Sequence, residues 1–219
     1  MSKPDYRTPA NVRKIYRRLQ KHFGPATPPL DFETNEQLAI AVVLSAQCTD
    51  ERVNIVTKDL FKYYPDMASL AKAPLERIKK LIYSTGFYNN KAKNIKALAK
   101  ALVKDYDGKI PDDFDVLVKL PGIGRKTANV VANQAFDKAY GIVVDTHVKR
   151  VANRLGLTDM NTPEKIERDL MSYVPEKLWK DFSLYIIFHG RKFCDARKPR
   201  CEECLLADSC RMYATAGKG

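Results

Sequence analysis

The chain has 219 residues, 45% of them hydrophobic, with 38 Lys and Arg against 26 Asp and Glu and a net charge of +12. That length supports one large core or two modest ones, and the charge suits a polyanionic partner, nucleic acid being the usual one. No apolar run approaches the roughly 20 residues that span a bilayer, and Met1 to Tyr6 carries no apolar leader, so the expected place is the cytoplasm or nucleoid, away from membranes, where cysteines stay reduced.

Few segments look like strands. Most show apolar residues three and four apart, bounded by capping and stop signals, so the predicted class is all-α. The first predicted helix runs from about Pro9 to Phe23 and stops at Gly24; Gly24 to Phe32, with Pro25, Pro28 and Pro29, reads as an extended connector. Thr34 with Gln37 matches a capping box. The segment it opens, Leu38 to Leu44, is apolar on all sides and so belongs in a core. The polar cluster Ser45-Ala46-Gln47-Cys48-Thr49-Asp50 follows, and Thr49 or Asp50 caps a helix through about Tyr64. Cys48 reads as a small buried apolar residue. Shorter helices are expected at Met67 to Ala73 and Pro74 to Ser84, then a break at Gly86. The helix from about Asn90 to Asp105 has Ile95, Leu98 and Leu102 on one face; Lys91, Lys93, Lys96, Lys100 and Lys104 read as its solvated face.

After a short helix from Pro111 to Leu120 comes Leu120-Pro121-Gly122-Ile123-Gly124-Arg125-Lys126-Thr127-Ala128-Asn129-Val130-Val131. Two glycines let the backbone turn tightly. A helix then begins, and its exposed N–H groups and partial positive charge suit a phosphate. Arg125 and Lys126 stand in its first turn, where a cation works against the helix dipole. The dipole and the neighbouring Arg125 both favour the neutral amine of Lys126, which is a nucleophile able to form a Schiff base. Ile142 to His147 is expected as a buried connector, with Asp145 capping a helix that runs to Leu155 and stops at Gly156. A carboxylate there could accept a proton or stabilise positive charge beside the amine. Thr162-Pro163 opens another helix, and a long amphipathic helix spans about Glu176 to Phe193.

Cys194, Cys201, Cys204 and Cys210 are separated by six, two and five residues. Four thiols in so short a loop point to a shared metal centre, either a [4Fe–4S] cluster or a structural zinc. Arg197, Lys198 and Arg200 lie between the first two. They can contact phosphates, or offset the charge of an anionic centre.

Taken together, LPGIGRKTANVV, VDTH and the four spaced cysteines make the chain resemble the endonuclease III family, from Leu44-Ser45-Ala46-Gln47 to Cys210. The resemblance implies two all-α domains flanking a DNA-binding cleft. A six-helix barrel would span 29–138 with its helix-hairpin-helix at about 114–133, and a cluster domain would combine 1–28 with 139–219. It implies a [4Fe–4S] cofactor on Cys194, Cys201, Cys204 and Cys210. It implies Lys126 as nucleophile, Asp145 as essential carboxylate, and Gly122 and Gly124 in a phosphate-gripping hairpin beside Arg125. Gln47 and Phe87 would enter the duplex; the expected DNA contact of Arg197 and Lys198 comes from the charge of the cysteine loop itself. The implied activity is a monomeric, bifunctional base-excision glycosylase and AP lyase acting on duplex DNA that contains oxidised pyrimidines or abasic sites. The alternatives are a monofunctional adenine-mismatch glycosylase and a non-catalytic binding module. Two departures stand out: Phe87 where leucine is common, and Asp137 where a glycine is usual.

Overall fold

The computed structural model describes residues 5–27 and 29–216; Met1 to Pro4 and Pro28 of the connector lie outside the described residues. No strand occurs among the described residues. Two compact units divide the chain: Pro28–Tyr140, and Met1–Thr27 together with Gly141–Gly219.

The central unit contains α2 (Asn35–Leu44), α3 (Asp50–Tyr63), α4 (Met67–Lys72), α5 (Leu75–Ile82), a 3₁₀ turn (Tyr83–Thr85), α6 (Tyr88–Asp105), α7 (Phe114–Leu117) and α8 (Arg125–Phe136). Helix α2 is its hub. Every residue from Gln37 to Leu44 is buried, and α3, α6 and α8 all pack against it. Thr34 caps the helix by accepting from the Gln37 amide at 3.2 Å. Gln37 does not complete the reciprocal box; its side chain accepts from the Glu33 amide at 2.9 Å, one residue earlier. Thr49 caps α3 in the same way, through the Arg52 amide at 3.3 Å.

Three expectations are corrected in this unit. Helix α6 starts two residues early, at Tyr88, because Phe87 turns left-handed with φ 48° and serves as its N-cap. The predicted helix from Pro111 is only the single turn of α7, which starts after Asp113 accepts the amides of Asp115 and Val116. The lysine face of α6 is not uniformly solvated: Lys91 is 5% exposed, and Lys96 donates to the Ala73 carbonyl at 2.5 Å. Lys91 lies four, seven and eleven residues from Ile95, Leu98 and Leu102, a spacing that puts it on the apolar stripe.

The second unit contains α1 (Pro9–Phe23), α9 (Thr146–Leu155), α10 (Pro163–Met171), α11 (Trp179–Lys192) and α12 (Arg211–Ala216). The helix expected from Glu176 to Phe193 is divided, with a 3₁₀ turn at Glu176–Leu178 leading into α11. Helix α11 packs on both α1 and α9. Gly190 permits the second contact, since a Cβ there would stand 3.1 Å from Val151 Cγ2. The N-terminal helix is fastened through Tyr16, whose ring meets Tyr185 edge-on at 5.2 Å and whose hydroxyl donates to Asp181 at 3.2 Å.

Candidate functional site

Leu120 to Ile123 forms a tight turn closed by the Ile123 amide on the Leu120 carbonyl at 3.1 Å. Pro121 and Gly122 occupy its corners, and Gly122 has φ 77°, the signature of a type II turn. Space reinforces conformation, because a Cβ on Gly122 would stand 2.9 Å from Asn94 Cβ on α6. Gly124 is the N-cap of α8 in extended conformation, and a Cβ there would meet nothing within 4 Å. The helix start thus has no side-chain cap, leaving amides for an anion. Gly122, Gly124, Arg125 and Lys126 are all exposed. The Arg125 guanidinium lies 5.4 Å over the Phe114 ring, which stacks on Tyr140 at 4.7 Å. At the far end of α8, Asp137 takes the left-handed position with φ 58°. The Lys138 amide then reaches back to the Ala132 carbonyl at 3.1 Å. Asp tolerates this conformation better than most residues, so the departure from glycine leaves the helix end intact.

Gln47 and Phe87 belong to the same unit. Both are exposed, and both have positive φ, 53° and 48°.

Asp145 belongs to the other unit, at the N-terminus of α9, half-buried after the buried run Ile142 to Val144. Its Oδ1 accepts from the Val148 amide at 2.7 Å. Among the described residues nothing donates to Oδ2. Helix α9 continues from this carboxylate to the cysteine loop. Arg150 donates to the Cys194 carbonyl at 3.1 Å and to the Gly190 carbonyl at 3.0 Å. One turn further, Arg154 donates to the carbonyls of Asp195 at 2.6 Å and Ala196 at 2.7 Å. These two arginines escaped the sequence reading; their four-residue spacing puts them on one helix face but does not point to the loop carbonyls they bind.

Cys194, Cys201, Cys204 and Cys210 line one pocket, together with Arg154 and His189 among others. Arg154 donates to Cys194 Sγ at 3.3 Å, and Cys204 Sγ lies 3.6 Å from His189 Nε2. Burial pushes the Cys204 and Cys210 thiols up, a cost that a bound metal centre would offset by holding thiolates. Four thiols lining one pocket are the donor set of a thiolate-held metal centre, and four cysteines can hold a [4Fe–4S] cluster. Arg197 and Lys198 stand exposed on the same loop.

An all-helical chain with a glycine hairpin ahead of a basic helix start, and a four-cysteine pocket, has the features of a helix-hairpin-helix DNA-repair protein. Residues 40–176 match the family model described as HhH-GPD superfamily base excision DNA repair protein, and residues 194–210 match the iron–sulfur binding domain of endonuclease III. The chain is 52% identical over 192 residues to endonuclease III of Synechocystis sp., covering 88% of each. A solved non-covalent endonuclease III–DNA complex superposes with a TM-score of 0.89 at 41% identity, covering 97% of this chain and 99% of that one. A trapped endonuclease III–DNA covalent intermediate superposes with a TM-score of 0.88 at 42% identity, covering 96% and 99%. The chain belongs to the endonuclease III family, the base-excision DNA glycosylases with lyase activity that carry a [4Fe–4S] cluster.

Proposed function

We propose that this chain removes oxidised pyrimidines such as thymine glycol from duplex DNA and then nicks the strand 3′ to the abasic site, with Lys126 as nucleophile and Asp145 as its carboxylate partner. The start of α8 carries this reading. A turn suited to glycine brings an uncapped helix terminus to the surface, and the Lys126 amine stands exposed in its first turn. Amides there hold a backbone phosphate. The target nucleotide flips out of the stack, most easily when damaged, while Gln47 and Phe87 enter the duplex. Lys126 Nζ attacks the sugar C1′, and the base leaves with the C1′–N bond electrons. The ring opens to a Schiff base, which acidifies the C2′ proton. Loss of that proton expels the 3′ phosphate. Asp145, with one oxygen committed to its helix and the other available, stabilises positive charge at the sugar and takes up a proton. The loop carrying Arg197 and Lys198 meets the DNA phosphates, and the bound cluster supplies the pinning of that loop. The protein works as a monomer on DNA in the cytoplasm or nucleoid.

A panel of duplexes tests the reading. Wild type is expected to excise thymine glycol and nick both that duplex and one with an abasic site; Lys126→Ala is expected to nick neither. Release of mismatched adenine without nicking would favour the monofunctional alternative. Tight binding without excision or nicking would favour a binding module.

A further inference from the structure

Lys91 is buried in the apolar stripe of α6 at 5% exposure, and no carboxylate pairs with it among the described residues. Its Nζ donates to two backbone carbonyls at 2.8 Å each, those of Leu44 and Thr85. Leu44 is the last residue of α2, and Thr85 is the last residue of the 3₁₀ turn. Carbonyls at helix ends lack partners within the helix, and cations are favoured there. Even so, a buried ammonium held by neutral oxygens is an unfavourable way to fill a core position that methionine could occupy. Burial accordingly pushes the Lys91 amine down from its ordinary value.

The residues just beyond these two carbonyls explain why a charge is kept there. Gln47 stands three residues past Leu44, and Phe87 stands two residues past Thr85. Both hold left-handed backbone that neither side chain favours. Phe87 is 64% exposed, so burial of its ring does not hold it there. The 3₁₀ turn before it is also closed by Thr85 Oγ1, which donates to the Ile82 carbonyl at 2.8 Å.

We propose that Lys91 is a positioning residue for lesion recognition: one ammonium ties the end of α2 to the end of the 3₁₀ turn and so holds Gln47 and Phe87 in fixed register for entry into the duplex. The proposal rests on the reading of those two residues as the ones that enter.

The test places 2-aminopurine opposite thymine glycol and follows its fluorescence on mixing with enzyme, alongside single-turnover excision. A second substrate, a single-stranded abasic oligonucleotide, needs Lys126 but no duplex entry. Lys91→Met is expected to lose the fluorescence rise and to excise on the order of 10²-fold more slowly, the scale of a misplaced positioning group, while cleaving the single strand near the wild-type rate. Added to Gln47→Ala/Phe87→Ala, it should cost little more, because the three residues act as one unit. Should Lys91→Met show no cooperative unfolding, Lys91→Gln, with a donor within reach of one carbonyl, takes the same measurements with intermediate losses expected. Full excision by these variants overturns the proposal. So does equal loss on both substrates, or a loss that simply adds to that of the double variant; either marks a general structural role. If Gln47→Ala and Phe87→Ala themselves keep the fluorescence rise, the reading of those residues fails and the proposal with it. If they lose it while Lys91→Met keeps it, the Lys91 proposal alone fails.

Discussion

Gly122→Ala should be far more damaging than Gly124→Ala, although the two glycines stand two residues apart in one hairpin. Gly122 has φ 77°, and an added Cβ would lie 2.9 Å from Asn94 Cβ. Left-handed backbone costs a non-glycine residue roughly 1–2 kcal/mol. The clash is with the root of the Asn94 side chain, not its flexible end, so α6 itself must yield, at about 1–2 kcal/mol by analogy with overpacking. The total of about 2–4 kcal/mol corresponds to a fall in Tm of roughly 5–15 °C for a chain of this size. Gly124 has ordinary extended backbone with open space around it, so alanine there should cost no more than about 1 kcal/mol as a poorer N-cap. Urea and thermal denaturation followed by circular dichroism measure both. Equal stability of the two variants, or a Gly122→Ala protein as stable as wild type, would refute the steric reasoning.

Asp145→Asn separates cap from chemistry: asparagine caps a helix about as well as aspartate, so stability should change by less than about 0.5 kcal/mol while excision is lost. A fully active asparagine variant would reduce Asp145 to a cap. Replacing Arg197 and Lys198 together by alanine should weaken duplex binding and lower the salt slope by about 0.9 for each phosphate contact removed. An unchanged slope would leave them as counter-charges to the cluster. The purified protein should be brown, with about four irons and as many sulfides per chain, and Cys210→Ser should lose colour and iron together. A colourless protein with stoichiometric zinc would contradict the cluster assignment.

Local rules made much of this molecule legible in its sequence. The apolar run before Ser45 could only be a core rod, and the Thr34 and Asp145 caps follow from side chains that suit helix starts. Gly122 was readable because tight turns with positive φ favour glycine. The pieces that escaped depend on partners outside their own helix. Lys91 falls on the apolar stripe of α6, but its acceptors are 47 and 6 residues away. Arg150 and Arg154 grip carbonyls about 40 residues further along, a pairing that no periodicity reveals. The left-handed Phe87 likewise defies its own preference and started α6 earlier than capping rules suggested. Local preference fails there although the ring is exposed, as is expected near functional sites.

The central claim is that Lys126 forms the covalent bond to DNA. Borohydride reduction during turnover of a thymine-glycol duplex, followed by proteolysis and mass spectrometry, reads the attached residue directly. The expected adduct lies on the peptide containing Lys126 and is absent from Lys126→Ala. An adduct on another amine, or excision by wild type with no trapped species at all, would contradict the account.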